Sequence, residues 1–471
     1  MRPSRYLGLL AVTALVAAAM AGVPANAAPA PAIHFGAPVY VDGSLAGGEP
    51  FVLEDARTHR LVYTSHEGTT HLYRPGMASG AVGDAEFLAN YRNQVNIWTS
   101  ADHGRSWQRV SLLGSGFINN PADNTGFSDP DLTEDAGGRI YDTGIDLAND
   151  ALFSSADGGR TWPTGTAQCH EGDRPWLAGG RRGEVFLSTD SETAGHIVVR
   201  SADGGASCGS TAAVANGAGW TGDGKLYYDR LNGALVEPAV FSSGGVGIDV
   251  LPHASTAFGA SAHPRFTGYP ADSQTAMFAH WPSIAIDSAG TIYLVWDTNE
   301  GSARPNSIML TYTRDLGRHW AVPIQVARPG TTVLWPWVTA GSAGNVGVVY
   351  YQYDRLVSPD STTVGNVHVM VANLYGVTGG HRVERITDAA GRPIHVGGIC
   401  QGGTTCVATG QDRRLGDLLT DSIDDQGCVM VATGDTMQVD PVTKQQLPVS
   451  HPLFLIQTAG RSLTGRDCAK R

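Results

Sequence analysis

The sequence predicts an all-β fold, a single β-propeller of seven four-stranded blades with six as the alternative. Three observations carry the prediction. A short segment is written four times in register, as Ser100-Ala-Asp102-His-Gly104-Arg-Ser106-Trp107, Ser155-Ala-Asp157-Gly-Gly159-Arg-Thr161-Trp162, Ser201-Ala-Asp203-Gly-Gly205-Ala-Ser207-Cys208 and Thr313-Arg-Asp315-Leu-Gly317-Arg-His319-Trp320. A second pattern, a strand opened by Pro and closed by an Asp or Gly turn, recurs at roughly 45- to 80-residue spacing, which suits one blade per turn. Gly numbers 60 and charged residues only 16% in this 471-residue chain, as many tight turns between short buried strands require.

The elements follow in order. Turns with an opening Pro are Glu49-Pro50 with Asp55, Asp129-Pro130 with Asp135, Arg174-Pro175 with Gly180, Trp281-Pro282 with Asp287 and Trp335-Pro336 with Gly341; weaker copies turn at Asp229 and Asp424. In the fourfold segment Asp accepts hydrogen bonds from the turn backbone, Gly takes a positive φ, and Trp packs the turn onto its strands. Val39-Tyr40-Val41 is expected to pair with the last blade, because an open ring leaves two bare sheet edges. The connection from Gly379 to Arg413 reads as a stapled surface loop.

Residues 1–27 read as a signal peptide: Arg2 and Arg5, an apolar run from Tyr6 to about Met20, then Ala25-Asn26-Ala27 as a cleavage site. Residues 28–471 are then one domain, exported, soluble and monomeric, with no membrane span. The formal charge of −12 disfavours nucleic acid and anionic membranes as partners. Six cysteines allow fifteen connectivities. Proximity selects Cys169–Cys208 across the third blade, Cys400–Cys406, and Cys428–Cys468 tying the last blade to the C-terminus. A zinc site is not indicated, since no Cys-x-x-Cys pair occurs and the His residues are scattered.

Propeller topology places the start of each inner strand on one face, here the top, and the fourfold turns on the bottom. The top then collects Glu49, Asp129, Asp131, Asp173, Arg174, Trp281, Trp335, Trp337, Arg414 and Asp417, with Glu67, Tyr351 and Tyr353 following second strands. Aromatic faces beside carboxylates and guanidinium groups suit a sugar ring. Each has a plainer reading: Glu49-Pro50 and Asp129-Pro130-Asp131 serve equally as strand caps or as oxygen ligands of a structural calcium. Asp173-Arg174 reads as an ion pair, and Trp281, Trp335 and Trp337 as core. No cofactor is otherwise expected.

The fourfold segment resembles the Asp-box, or bacterial neuraminidase repeat, of sialidase-like β-propellers, the third copy departing at Cys208. That resemblance implies three Arg gripping a substrate carboxylate, a Tyr nucleophile with a Glu partner, and an Asp acid/base. Under it Arg174 and Arg414, with Arg74 or Arg355, are the clamp; Tyr351 or Tyr353 is the nucleophile; Asp173 or Asp131 is the acid; and Glu67 joins the catalytic set. The family's Phe/Tyr-Arg-Ile-Pro motif is missing, since Tyr73-Arg74-Pro75 lacks the intervening residue. Two functions therefore stay open: an exo-glycosidase acting on terminal sugars of extracellular glycans, and a non-catalytic propeller binding glycan or protein.

Overall fold

The computed structural model describes residues 32–66, 71–73, 95–110, 128–145, 150–191, 195–209, 211–213, 224–240, 245–258, 265–269, 282–298, 306–327, 329–358, 365–380, 382–403 and 405–469. The expected leader over residues 1–27, Glu67, Arg74 and Trp281 lie outside them.

Seven antiparallel sheets follow one another along the chain, with helix confined, among the described residues, to Ala254–Ala257 and Thr405–Thr409. Their inner strands are Gly48–Glu54, Ser128–Glu134, Asp173–Gly179, Tyr227–Asp229, Ser283–Ile286, Val333–Ala340 and Thr420–Ile423. The seventh blade is completed from the other end of the chain: Val39 and Tyr40 pair with Phe454 and Leu453 of the strand His451–Arg461, as expected for a closed ring. No helix among the described residues is long and apolar enough to cross a membrane.

The four repeated segments form four copies of one turn, each joining the third and fourth strands of a blade. Asp157 accepts from Ser155 Oγ at 2.9 Å, from the Thr161 amide at 2.9 Å and from Thr161 Oγ1 at 2.7 Å, while Trp162 Nε1 donates to Gly159 O at 3.0 Å. Asp102, Asp203 and Asp315 repeat the pattern. These bonds outweigh what burial does to Asp102 and pull its carboxyl down to about 2. The carboxylates are occupied as turn formers.

Gly159 shows why the segment ends a blade where it does. Its φ is +81°, and a Cβ there would stand 2.7 Å from Val62 Cγ2 of the preceding blade, so the turn seats directly on its neighbour. Gly159→Ala should combine left-handed strain with a core clash and cost about 2–4 kcal/mol. Gly391, at φ +65° with nothing within 4 Å of its Cβ, should cost only about 1 kcal/mol as alanine. Urea midpoints of the two variants measure the difference.

All three disulfides form as paired from the sequence. Cys169 nevertheless lies on Thr164–His170, the outer strand of the second blade, so Cys169–Cys208 bridges two blades rather than crossing the third. Cys208 stands where the other copies have Trp, a position that faces the preceding blade. The loop stapled by Cys400–Cys406 is likewise not a surface appendage: Ile399, Cys400, Cys406, Arg413 and Arg414 are all buried.

Candidate functional site

Four inner strands open with the same irregularity. Glu49, Asp129, Arg174 and Trp335 each precede a proline and adopt φ of +49°, +54°, +58° and +54°. The ladder register breaks at each, between Gly48 and Phe51, Ser128 and Asp131, Asp173 and Trp176, and Leu334 and Trp337. Proline offers no amide to the ladder, so the strand bulges there. Left-handed backbone on non-glycine residues costs on the order of 1 kcal/mol each, and four such residues ring one end of the propeller.

The second residue after each bulge turns toward the axis. Phe51, Trp176 and Trp337 come from the first, third and sixth blades, yet their rings meet at 6.1, 5.5 and 6.2 Å, contacts that only the central channel permits. Asp131, the equivalent residue of the second blade, meets Lys225: Nζ lies 2.5 and 2.6 Å from its two oxygens and 5.3 Å from the Phe51 ring centre. Together these side chains floor the channel. Lys225 takes up both Asp131 oxygens.

Above the floor is a polar mouth. Glu49, 2% exposed, approaches His66 Nε2 at 3.2 Å and His71 Nε2 at 3.4 Å. Its Oε1 also accepts the Asp417 amide at 3.1 Å. Arg413 pairs with Asp417 at 2.6 Å and reaches Glu49 at 3.8 Å. Asp129 accepts from Ser128 Oγ, and Asp173 is exposed at the rim. Burial, then the charges of Glu49, Asp173 and Asp417, push the Asp129 carboxyl well up. For Glu49 burial acts upward too, but His66 and His71 outweigh it and hold the carboxyl well below its usual range. Burial is likewise the main reason His71 falls to about 4.

The remaining sequence candidates separate from this mouth. Arg414 is 1% exposed; its guanidinium grips Asp412, with Nη2 2.7 Å from Oδ2, donates to Leu447 O at 3.0 Å and stacks on Tyr73. Tyr351 is fully buried in the wall between the sixth and seventh blades, its hydroxyl 2.8 Å from Thr433 Oγ1, and burial pushes that hydroxyl well up. Trp335 is buried, with Nε1 donating to Gln401 of the stapled loop at 2.8 Å. Trp337 is a core ring of the floor. Arg174 sits half-buried on its bulge beside Asp173. Sequence reasoning missed Arg413, His66 and His71 as a set, and Lys225 entirely.

Asp297 holds the Trp335 bulge by accepting its amide at 3.3 Å, and burial raises its carboxyl to about 7. A carboxyl raised on folding favours the folded state at low pH, and that advantage is lost as pH rises from about 4 through 7. Asp297→Asn keeps the acceptor without the charge. Relative to the parent it should gain about 3 kcal/mol between pH 5 and pH 8, read from urea unfolding at the two pH values.

No protein-family model matches the chain, and no curated protein does. Solved structures do. A fungal alcohol oxidase of the AA5 family, in complex with copper, matches with a TM-score of 0.52 and 11% identity over 91% of this chain and 76% of its own. The NanB sialidase of Streptococcus pneumoniae matches with a TM-score of 0.41 and 10% identity over 93% of this chain and 71% of its own. A protein of unknown function from Dyadobacter fermentans has a TM-score of 0.46 at 14% identity, over 91% and 99%. At these identities the likeness is one of fold.

Proposed function

We propose that the mouth binds the terminal sugar of an extracellular glycan and that the chain is an exported exo-glycosidase. The observation that carries the reading is the convergence of Asp129, Asp173 and Asp417 with Arg413 over a floor of aromatic rings. Glycoside hydrolysis asks for two carboxylates, one delivering a proton to the leaving oxygen and one acting on the sugar's other face. Asp129, half-buried among like charges, is the proton donor; Asp173 or Asp417 is the second group. Three disulfides support an oxidising compartment.

The acids of the mouth outnumber its guanidinium groups, and Arg413 is already paired with Asp417. This favours a neutral or amino sugar over an anionic sialoside, whose carboxylate needs several Arg. The sealed Tyr351 hydroxyl supports the same preference. It also supports the second reading, a propeller that holds glycan without turning it over.

The test is fluorophore release from a panel of glycosides that includes an α-sialoside, with an Arg174→Ala, Asp173→Ala double variant as control. Release from a neutral or amino sugar, lost in the double variant, is the expected result. Silence from a folded protein that a glycan array retains would replace the enzyme with the binding propeller.

A further inference from the structure

We propose that Glu49, His66 and His71 form a site for one divalent transition-metal ion of the zinc type at the base of the mouth. Glu49 stands on the bulge of the inner strand Gly48–Glu54, and His66 ends the neighbouring strand Leu61–His66, opposite Gly48. His71 lies in the segment that the Tyr73 amide fastens to Pro448 O at 2.9 Å. The fold thus brings one carboxylate and two imidazoles together from three places in the chain.

The spacing is that of ligands. The donor atoms all lie within 4.8 Å of one another, with Glu49 oxygens 3.2 and 3.4 Å from the two Nε2 atoms. A tetrahedral ion with bonds of about 2.1 Å separates its donors by about 3.4 Å. His71 supplies the second, independent observation. Its side chain is 7% exposed, and among the described residues neither buried ring nitrogen makes a well-formed hydrogen bond: Nδ1 has no partner and Nε2 has only the 3.4 Å approach to Glu49 Oε1. Burying an imidazole that way forfeits its bonds to water, a loss that one metal–nitrogen bond offsets.

Charge and ligand type point the same way. Glu49, Asp129 and Asp417 surround the Arg413 guanidinium and Asp173 stands beside Asp129, so carboxyl groups outnumber guanidinium groups where a cation would enter. Two imidazoles and one carboxylate suit zinc and its neighbours, whereas calcium and magnesium ask for oxygen cages. Three protein ligands leave a fourth position for water or a ligand oxygen. Because Glu49 Oε1 also accepts the Asp417 amide, the ion would tie the first-blade bulge to the stapled loop that delivers Arg413 and Asp417. The site stands whether or not the mouth acts on sugars.

Mature protein stripped with a chelator is titrated with zinc chloride by calorimetry, and the bound metal is counted by plasma mass spectrometry. One ion per chain and a rise in Tm with zinc are expected. His71→Ala and Glu49→Gln should each weaken binding by at least ~100-fold, and the visible bands of the cobalt form should change in His71→Ala. His59→Ala, in the exposed set Glu54, His59 and Asp425, should leave uptake intact. Should Glu49→Gln fail to fold, His71→Ala with a native near-UV spectrum carries the test. No stoichiometric uptake at micromolar free zinc, equal uptake by His71→Ala, or loss in His59→Ala overturns the site.

Discussion

Asp131→Ala should destabilise the protein by about 3–5 kcal/mol, because it strands the Lys225 ammonium in the channel floor. The Lys225 side chain is 11% exposed and that of Asp131 fully buried. Besides the carboxylate, the hydrogen-bond partners of Lys225 Nζ among the described residues are weaker, Leu132 O at 3.1 Å and Leu177 O at 3.2 Å, and Asp131 also accepts the Leu177 amide at 2.7 Å. Burial drives both groups toward neutrality, raising Asp131 and lowering Lys225, and each opposes that drive in the other. Lys225→Met should therefore be costly as well, since it leaves the buried carboxylate with backbone donors alone. The double variant Asp131→Leu, Lys225→Met should recover most of the loss, because apolar side chains under the Phe51 ring need no compensation. Urea unfolding of the parent, Asp131→Leu, Lys225→Met and the double variant closes the cycle, with Asp131→Ala measured beside them. A midpoint for Asp131→Ala equal to that of the parent would mean that the pair does not hold the floor.

The floor also marks how far the sequence could be read. Each blade announces itself by its turn: Asp135 and Asp287 accept from turn amides of their own blade and from Gly183 and Gly344 of the next. Turn chemistry is local, so spacing and residue type were enough to count blades and to close the ring through Val39-Tyr40. The prolines that open five of the seven inner strands were legible, and with them the candidates Glu49, Asp129 and Asp173. Which side chain of an adjacent pair faces the mouth was not. Arg413 and Arg414 are equivalent in sequence, but in the stapled loop one turns to Asp417 and the other back to Asp412. Tyr351 follows the alternation of Val346–Tyr353, which sends it into the blade interface. Lys225 and His71 lie in irregular segments whose contacts are made by residues far away in the chain, Asp131 and Glu49, so periodicity carries no trace of them.

If the mouth hydrolyses glycosides, Asp129→Asn should lower kcat/KM by about 100- to 10,000-fold with KM nearly unchanged, since what it removes is proton delivery in the transition state. The parent enzyme needs Asp129 protonated, and burial with Glu49, Asp173 and Asp417 keeps the proton bound well above the ordinary carboxyl range. Activity should accordingly persist toward neutral pH and fall on the alkaline side as that proton leaves. Of Asp173→Asn and Asp417→Asn, the one that removes the second catalytic carboxylate should abolish turnover. The other removes only a like charge, so Asp129 releases its proton more readily and the alkaline limb should move to lower pH. Profiles are best recorded with a chelator present, so that Glu49 carries its own charge and no cation masks it. An alkaline limb unmoved by both variants would separate Asp129 from the proton transfer and leave the mouth a binding surface.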